Sequence, residues 1–295
     1  MFDLIIIGMG PSGMSAGIYA KRSNLNTLIL EKNTPGGLIN TTNKIDNYLG
    51  LPNLSGPELA YEMFKHVKSA NIPYKIEEVI SLTKEENNFK VTTNKDVYLS
   101  KSVIISSGRI PKKTTFEEKT KELKLSRCAI CDAPLYKGKD VVVLGGGDSA
   151  VEESIYLSDI ASSVKIISRS EIKGLEKDKL KNYSNIEVLD NTIIKDITFD
   201  NDLYKITLEN NEFTADGVFS YIGYTNSINY LENLDLEMDN GYIITKDGKT
   251  NIDGLFACGD VTKKSLYQIV TAVSEGAICA VNASNYVKGV NKWIL

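Results

Sequence analysis

Two glycine-rich turns constrain this chain more than any other feature. The first, Gly8-Met9-Gly10-Pro11-Ser12-Gly13, follows the apolar run 3–7 and precedes a helix-like stretch, Met14 to Lys21. A second apolar run, Thr27 to Leu30, then ends at Glu31. Short continuous apolar runs predict parallel strands buried on both faces. In a strand–turn–helix–strand unit the glycines permit a tight turn and close backbone approach to a pyrophosphate. The helix N-terminus attracts that anion, and an acid about 20 residues on takes the ribose hydroxyls. Glycine spacing alone is a weak signal, but every element of the context is present here. Residues 3–31 read as the seat of an adenine dinucleotide.

The second turn, Gly145-Gly146-Gly147-Asp148-Ser149-Ala150, lies between the run Val141–Leu144 and a helix-like stretch, Val151–Leu157, with Val164–Ile167 beyond. Gly8, Gly10, Ser12, Ile18 and Tyr19 match Gly145, Gly147, Ser149, Ile155 and Tyr156 with no gap. The expected fold is therefore α/β, with two tandem Rossmann-like dinucleotide-binding domains. A length of 295 residues is enough for two hydrophobic cores. In the same register Glu31 falls on Ser168, so the second site lacks the acidic ribose hook. Its nearby side chains are Arg169, Ser170 and Glu171.

Between the turns, residues 35–58 are rich in glycine and amides and read as a loop, and 59–70 as an amphipathic helix spaced by Leu59, Met63, Phe64 and Val67. His66, the single histidine, lies in that helix and reads as an exposed or partly packed residue. Val79–Leu82, Asn88–Thr93 and Val97–Leu99 alternate like antiparallel strands, and Val103–Ile105 reads as a separate buried strand ending toward Gly108. Residues 109–127 are charged and aperiodic, as in an interdomain connection. Short strands are expected over 186–216 and at 217–223. A strand-like stretch at 250–260 closes in Gly259-Asp260, and a helix follows over 267–287 with a small, apolar face.

The remaining feature is Cys128-Ala129-Ile130-Cys131-Asp132. Four cysteines in a chain this long do not form a disulphide framework. The N-terminus lacks the pattern of a signal peptide and no apolar run approaches the ~18 residues of a membrane span, so a cytoplasmic protein without a membrane role is expected. In that reducing setting a close cysteine pair is catalytic or metal-binding. Zinc needs four ligands; one CxxC, a distant His66, and Cys258 and Cys279 near the C-terminus supply them poorly, so no metal is expected and the pair reads as redox-active. Asp132, directly after the pair, can serve as a helix cap; Cys258 and Cys279 read as buried small residues. A net charge of −4 gives no electrostatic support for nucleic-acid binding.

In order, GMGPSG with Glu31, GGLINTT with DNYLG, CAICD, GGGDSAVEE and TNIDGLFACGD resemble the motifs of the low-molecular-weight thioredoxin reductases, from residue 3 to about 287. The resemblance implies a discontinuous FAD domain, 1–111 with 225–295, and an inserted pyridine-nucleotide-type domain, 112–224, carrying the CxxC. FAD would lie on Gly8, Gly10, Pro11, Ser12 and Gly13, with Glu31 on the adenosine ribose. Gly37, Leu38 and Asn47 would line the flavin side, and Gly108, Gly259, Asp260 and Gln268 would complete the site. Cys131 would be the sulphur nearest the flavin, Cys128 the interchange thiol, and Asp132 their proton donor. Gly145, Gly147, Asp148, Ser149 and Arg169 would hold a nicotinamide nucleotide. The implied partner is thioredoxin or a similar small disulphide protein, and the implied assembly a homodimer. In the family the inserted domain rotates, with 109–127 and 223–240 as hinges here.

The chain departs from the family in four places. Leu38 stands where the family usually has glutamine, and Tyr267 replaces the arginine of its Arg-Gln-Ala segment. Of the arginines in its His-Arg-Arg-x-x-x-Arg run, only Arg169 survives in Ser168-Arg169-Ser170-Glu171-Ile172-Lys173-Gly174. Losing two charge-assisted contacts at about 1.5–3 kcal/mol each weakens NADPH a hundredfold or more. Cys131-Asp132-Ala133-Pro134 is shared with a ferredoxin-linked branch, which usually lacks the second glycine turn that is whole here. The donor is thus NADH, NADPH or reduced ferredoxin, with a nicotinamide donor expected. Cys128 and Cys131 argue against a ferredoxin–NADP-type electron-transfer flavoprotein, which needs no CxxC; a flavin-binding redox sensor without turnover is the other alternative. Trp293 reads as a packing anchor, or as a cover for the flavin or an interface.

Overall fold

The structure, a computed structural model, describes residues 1–42, 45, 47–120, 123–127, 129–226 and 228–290, with residues 130, 131, 224 and 226 as backbone only. Trp293, Asp46 and Cys128 lie outside the described residues. The chain divides into two units, Met1–Ile110 with Asn226–Leu295, and Pro111–Thr225.

The first unit begins β1 (Phe2–Ile7), α1 (Pro11–Arg22), β2 (Thr27–Glu31), α2 (Gly56–Ser69), β3 (Tyr74–Ile76), β4 (Val79–Glu85), β5 (Asn88–Thr93) and β6 (Val97–Ile105). Its sheet runs β3-β2-β1-β6-β5-β4. Two expectations are corrected here. The runs at 97–99 and 103–105 are one strand, not two. The first half of β6 pairs antiparallel with β5 (Phe89 opposite Ser100), and the second half pairs parallel with β1 (Ile7 opposite Ile105). Ser100 and Ser102 look like a break in the sequence, yet both are fully buried, with hydroxyls bonded to the carbonyls of Ser102 and Asp3. The helix expected at 59–70 starts earlier, at Gly56, because Ser55 and Glu58 form a reciprocal capping box and Pro57 fits the first turn. Gly37–Thr41, inside the expected loop, is a 3-10 helix.

Alternation along β1 divides the core. Leu4 and Ile6 face α1, while Ile5 and Ile7 face a layer that includes Leu82, Phe89 and Val91.

The chain crosses to the second unit in β7 (Arg109–Pro111) and continues as α3 (Thr115–Lys119), α4 (Ala129–Asp132), β8 (Asp140–Leu144), α5 (Asp148–Ser158), β9 (Ser163–Ile167) and β10 (Ile186–Leu189). It then forms the antiparallel sheet β11 (Asp196–Asp200), β12 (Leu203–Thr207) and β13 (Glu212–Ala215), and β14 (Gly217–Ser220). A parallel sheet β10-β9-β8-β14 forms the centre. The expected connection 109–127 is largely folded structure. Thr114 and Glu117 box the start of α3, Arg127 pairs with Glu117 at 2.6 Å, and Ser126 bridges to β14. Pairing to distant residues leaves no periodic signal, which is why the sequence looked unstructured there. The return crossing, β15 (Tyr224–Asn226), pairs with β7.

Back in the first unit, β16 (Met238–Asp239) pairs with β17 (Tyr242–Ile243). β18 (Leu255–Ala257) then adds parallel to the second half of β6, and α6 (Ile269–Lys288) closes the chain against α1. Of the expected strand-like stretch 250–260, only 255–257 is strand. Among the described residues no helix is long and apolar enough to cross a membrane.

Candidate active site

In the first unit the glycine turn joins β1 to α1. Gly8 has φ +103°, and a side chain there would overlap the Ser106 carbonyl, so the turn requires glycine. Gly10 caps α1 with no side-chain bond, which leaves the first-turn amides of α1, from Ser12 and Gly13 onward, without a side-chain acceptor, Pro11 having no N–H to satisfy. These amides carry the positive end of the helix dipole, the physical requirement for a pyrophosphate seat. Glu31, at the end of β2, accepts the Met9 amide on one oxygen (2.6 Å) and the Asn33 amide on the other (2.9 Å). A carboxylate has lone pairs left over for ribose hydroxyls.

Other segments converge on this turn. The Gly36 amide donates to the Met9 carbonyl at 2.8 Å, setting Gly37 beside Gly10, with Leu38 next in the 3-10 helix. Asn47 donates to Gln268 at 3.0 Å, joining the loop before α2 to the cap of α6. Gly259 is so near Ser12 that a side chain on it would strike the serine hydroxyl, and its amide donates to Glu275 of α6 at 2.8 Å. Gly108 follows β6 in open space. Gly37 and Gly259 thus meet the turn that holds Gly8 and Gly10, and Asn47 is joined to Gln268 in the same unit; the free amides and the acid at this turn fit the phosphates and ribose of a dinucleotide. Arg109 and Glu275 were not anticipated; each follows or lies within a stretch whose own pattern gives no reason to single it out.

In the second unit Gly145 has φ +139°, a side chain there would overlap the Tyr221 carbonyl, and Gly147 caps α5 without a side-chain bond. Asp148 accepts the Leu175 amide at 2.7 Å, and the Lys173 amide donates to the Gly146 carbonyl at 2.8 Å, so the segment 168–175 folds over the turn. Ser149 lies in the first turn of α5. Ser168 is buried with its hydroxyl against Gly146, and Arg169 is exposed. The second turn therefore offers amides and one cation where the first offers amides and an acid.

Cys131 lies in α4. The amide of Ala129, which opens this helix, donates to the Tyr221 hydroxyl at 3.0 Å. Asp132 makes no capping bond. Its carboxylate accepts the Ser126 hydroxyl at 2.5 Å, and Ser126 is itself held through its amide and carbonyl to Val218 and Ser220. The capping alternative is replaced by an acid fixed at the end of the helix that carries Cys131. Neither Ser126 nor Tyr221 carries a sequence signal for this role: Ser126 is held in place by the distant strand β14, and Tyr221 lies 92 residues from Ala129. His66 is exposed on α2, and Cys258 and Cys279 are buried.

Glu153, on α5, is a mostly buried carboxyl; burial, with the charge of Glu152 adding to it, pushes its pKa up to about 7. A carboxyl raised in the folded state keeps its proton there after the unfolded chain has lost its own, so stability falls as pH rises from about 4.5 to about 7. Glu153→Gln is expected to melt with the wild type at pH 4.5 and above it at pH 8, by the equivalent of up to about 3 kcal/mol. Thermal unfolding of both proteins across this range checks it, and a constant gap would refute the assignment.

A dinucleotide seat with a ribose acid in one unit, and a second glycine turn beside a CxxC helix in the other, define the class of flavin-dependent disulphide oxidoreductases. Residues 2–276 match the family "Pyridine nucleotide-disulphide oxidoreductase". The chain is 37% identical to a thioredoxin reductase of Bacillus subtilis over 98% of its length and 95% of the relative's. The crystal structure of Lactococcus lactis thioredoxin reductase superposes with a TM-score of 0.90 at 32% identity, covering 98% of this chain and 100% of that one. A ferredoxin-flavin thioredoxin reductase from Clostridium acetobutylicum is similar at a TM-score of 0.55 and 29% identity, covering 98% of each. The chain belongs to the pyridine nucleotide-disulphide oxidoreductases and, within them, to the thioredoxin reductase family.

Proposed function

We propose that this chain is a thioredoxin-disulphide reductase in which the first unit binds FAD and the second binds a nicotinamide nucleotide and carries the redox pair Cys128–Cys131. The observation that carries the reading is the fixed acid at the end of α4, Asp132 held by Ser126, in a chain that also presents a glycine turn with an acid suited to a dinucleotide. Bound FAD supplies the conversion of a two-electron hydride into thiol chemistry. In the reduced pair the Cys128 thiolate attacks one sulphur of a thioredoxin-like disulphide and forms a mixed disulphide. Asp132 protonates the departing thiolate. Cys131 then attacks the Cys128 sulphur, which re-forms the intrachain disulphide and releases the second substrate thiolate for protonation. The net change is NAD(P)H + H⁺ + disulphide → NAD(P)⁺ + dithiol. Gly8, Gly10, Pro11, Ser12, Gly13, Glu31, Gly37, Leu38, Asn47, Gly108, Gly259, Asp260 and Gln268 hold FAD, and Gly145, Gly147, Asp148, Ser149 and Arg169 hold the nucleotide. A cytoplasmic homodimer is the form we infer from the family.

Arg169 alone contributes a guanidinium for the 2′-phosphate, so discrimination between NADPH and NADH is expected to be weak. Arg169→Ala is expected to raise KM for NADPH about tenfold and leave KM for NADH unchanged, one charge-assisted contact being worth about 1.5 kcal/mol. The second reading, in which ferredoxin is the donor, draws on Ser170 and Gly174 in place of two arginines and on the ferredoxin-linked relative. Anaerobic stopped-flow mixing with NADH, NADPH and reduced ferredoxin separates the two. Flavin bleaching by neither nucleotide would overturn the nicotinamide donor.

A further inference from the structure

We propose that Arg109 is a positioning residue of the flavin site, holding Asp260 so that one carboxylate oxygen is committed to the protein and the other is presented to the polyol chain of the cofactor. The inference rests on the FAD reading of the first unit.

Arg109 donates from both Nε (3.2 Å) and Nη2 (2.8 Å) to the same Asp260 oxygen, Oδ2. Both side chains are mostly buried, at 21% and 24% exposure, where a charge pair holds its geometry better than it does in open solvent. No hydrogen bond within the structure engages Oδ1 of Asp260 among the described residues. The guanidinium also lies over the ring of Tyr267, with Cζ 4.6 Å from its centroid, and Tyr242 packs 5.8 Å from the same ring. Arg109 is thus fixed along two directions, by the carboxylate in its plane and the aromatic ring on its face. Gly259, the neighbour of Asp260, is fixed independently through its amide on Glu275, which in turn pairs with Lys264. The Gly259-Asp260 turn is therefore gripped from α6 on one side and from β7 on the other, next to Ser12 of the pyrophosphate turn.

This arrangement explains the substitution at Tyr267. The position contributes an aromatic platform, and the cation on that platform comes from Arg109, the last residue but one of the first unit before the crossing. A free carboxylate oxygen beside a pyrophosphate seat accepts a hydroxyl; a chain of secondary hydroxyls, as in a ribityl group, is the ligand chemistry it selects.

The test measures FAD retained by the purified holoenzyme and the Kd from flavin fluorescence released on dilution. Arg109→Ala is expected to weaken FAD at least tenfold. Arg109→Lys, which keeps the charge but not the planar fork, is expected to fall between it and the wild type. Tyr267→Leu is expected to weaken FAD by a smaller factor, and it keeps the test open should Arg109→Ala fold poorly. In an Asp260→Asn background the loss from Arg109→Ala is expected to shrink below threefold, because the two act as a pair. A residue with only a structural role would lower the melting temperature of all backgrounds alike and leave no such coupling. Affinity within twofold of the wild type for Arg109→Ala, or additive losses in the cycle, would overturn the inference alone. A wild-type protein that does not hold FAD would overturn the flavin reading beneath it.

Discussion

Cys131→Ser is expected to reduce thioredoxin-disulphide reduction by at least about three orders of magnitude while the protein stays yellow with flavin. Removing a nucleophile that works as part of a unit costs activity on this scale. No other thiol can substitute. Cys258 and Cys279 are 1% and 0% exposed, and hydrogen bonding with Cys258, together with burial, holds the Cys279 thiol well above its usual pKa, so it stays protonated and inert. The residues assigned to FAD belong to the other unit, so flavin content is expected to be unchanged. Coupled turnover with thioredoxin and flavin absorbance on the same preparation check this. An aromatic disulphide reagent adds a count: two fast-reacting thiols in the reduced native wild type, one in the variant. Retention of more than about 10% of turnover would favour the electron-transfer flavoprotein reading instead.

Gly276→Ala gives the second large effect, and its sign is the informative part. In a helix interior this change should stabilise by about 0.5–1 kcal/mol, because alanine loses less conformational entropy than glycine. Here a methyl group at position 276 would overlap the Ser12 carbonyl and stand 3.1 Å from the Ala16 amide nitrogen. Ser12 lies in the first turn of α1, so relief requires either α6 to retreat or the pyrophosphate turn to distort. Retreat also pulls on Glu275, which holds the Gly259 amide, and on the Val273 carbonyl, which accepts the Ser15 hydroxyl at 2.7 Å. Overpacking of this kind costs about 1–3 kcal/mol, more than propensity returns. The expected result is a lower melting temperature and FAD weakened at least tenfold, read by thermal unfolding and flavin release. Ser274→Ala, exposed on the same helix, is the control expected to change neither. A stabilised, flavin-saturated Gly276→Ala protein would show that the close approach of α1 and α6 is not what builds the site.

The sequence read best where structure is local. The strands β1, β2, β8 and β9 and the helices after both glycine turns come from residues adjacent in the chain, whose apolar runs and glycines state their own geometry. It read worst where the partner is far away. Ser100 and Ser102 looked like the end of a strand because their satisfying carbonyls belong partly to β1, near the other end of the unit. Residues 109–127 looked like a tether because the groups that order them, Glu117 for Arg127 and Val218 and Ser220 for Ser126, are not related to them by any period. The early start of α2 is legible in the capping-box spacing of Ser55 and Glu58, but Gly56-Pro57 between them is also the composition of a loop.

Two dinucleotide seats, one with an acid and one without, and a cysteine pair followed by an acid were determined by the sequence alone. Each depends on residues a few positions apart, and the backbone geometry of a strand–turn–helix follows from them. Tertiary structure decided what those groups are set against. Asp132 is held by Ser126 rather than capping a helix, Asp260 is half-committed to Arg109 on Tyr267, and α6 presses a glycine onto the pyrophosphate turn. These are contacts between segments up to the length of the chain apart. They are set by how sheets and helices pack, and no local pattern of residues encodes them.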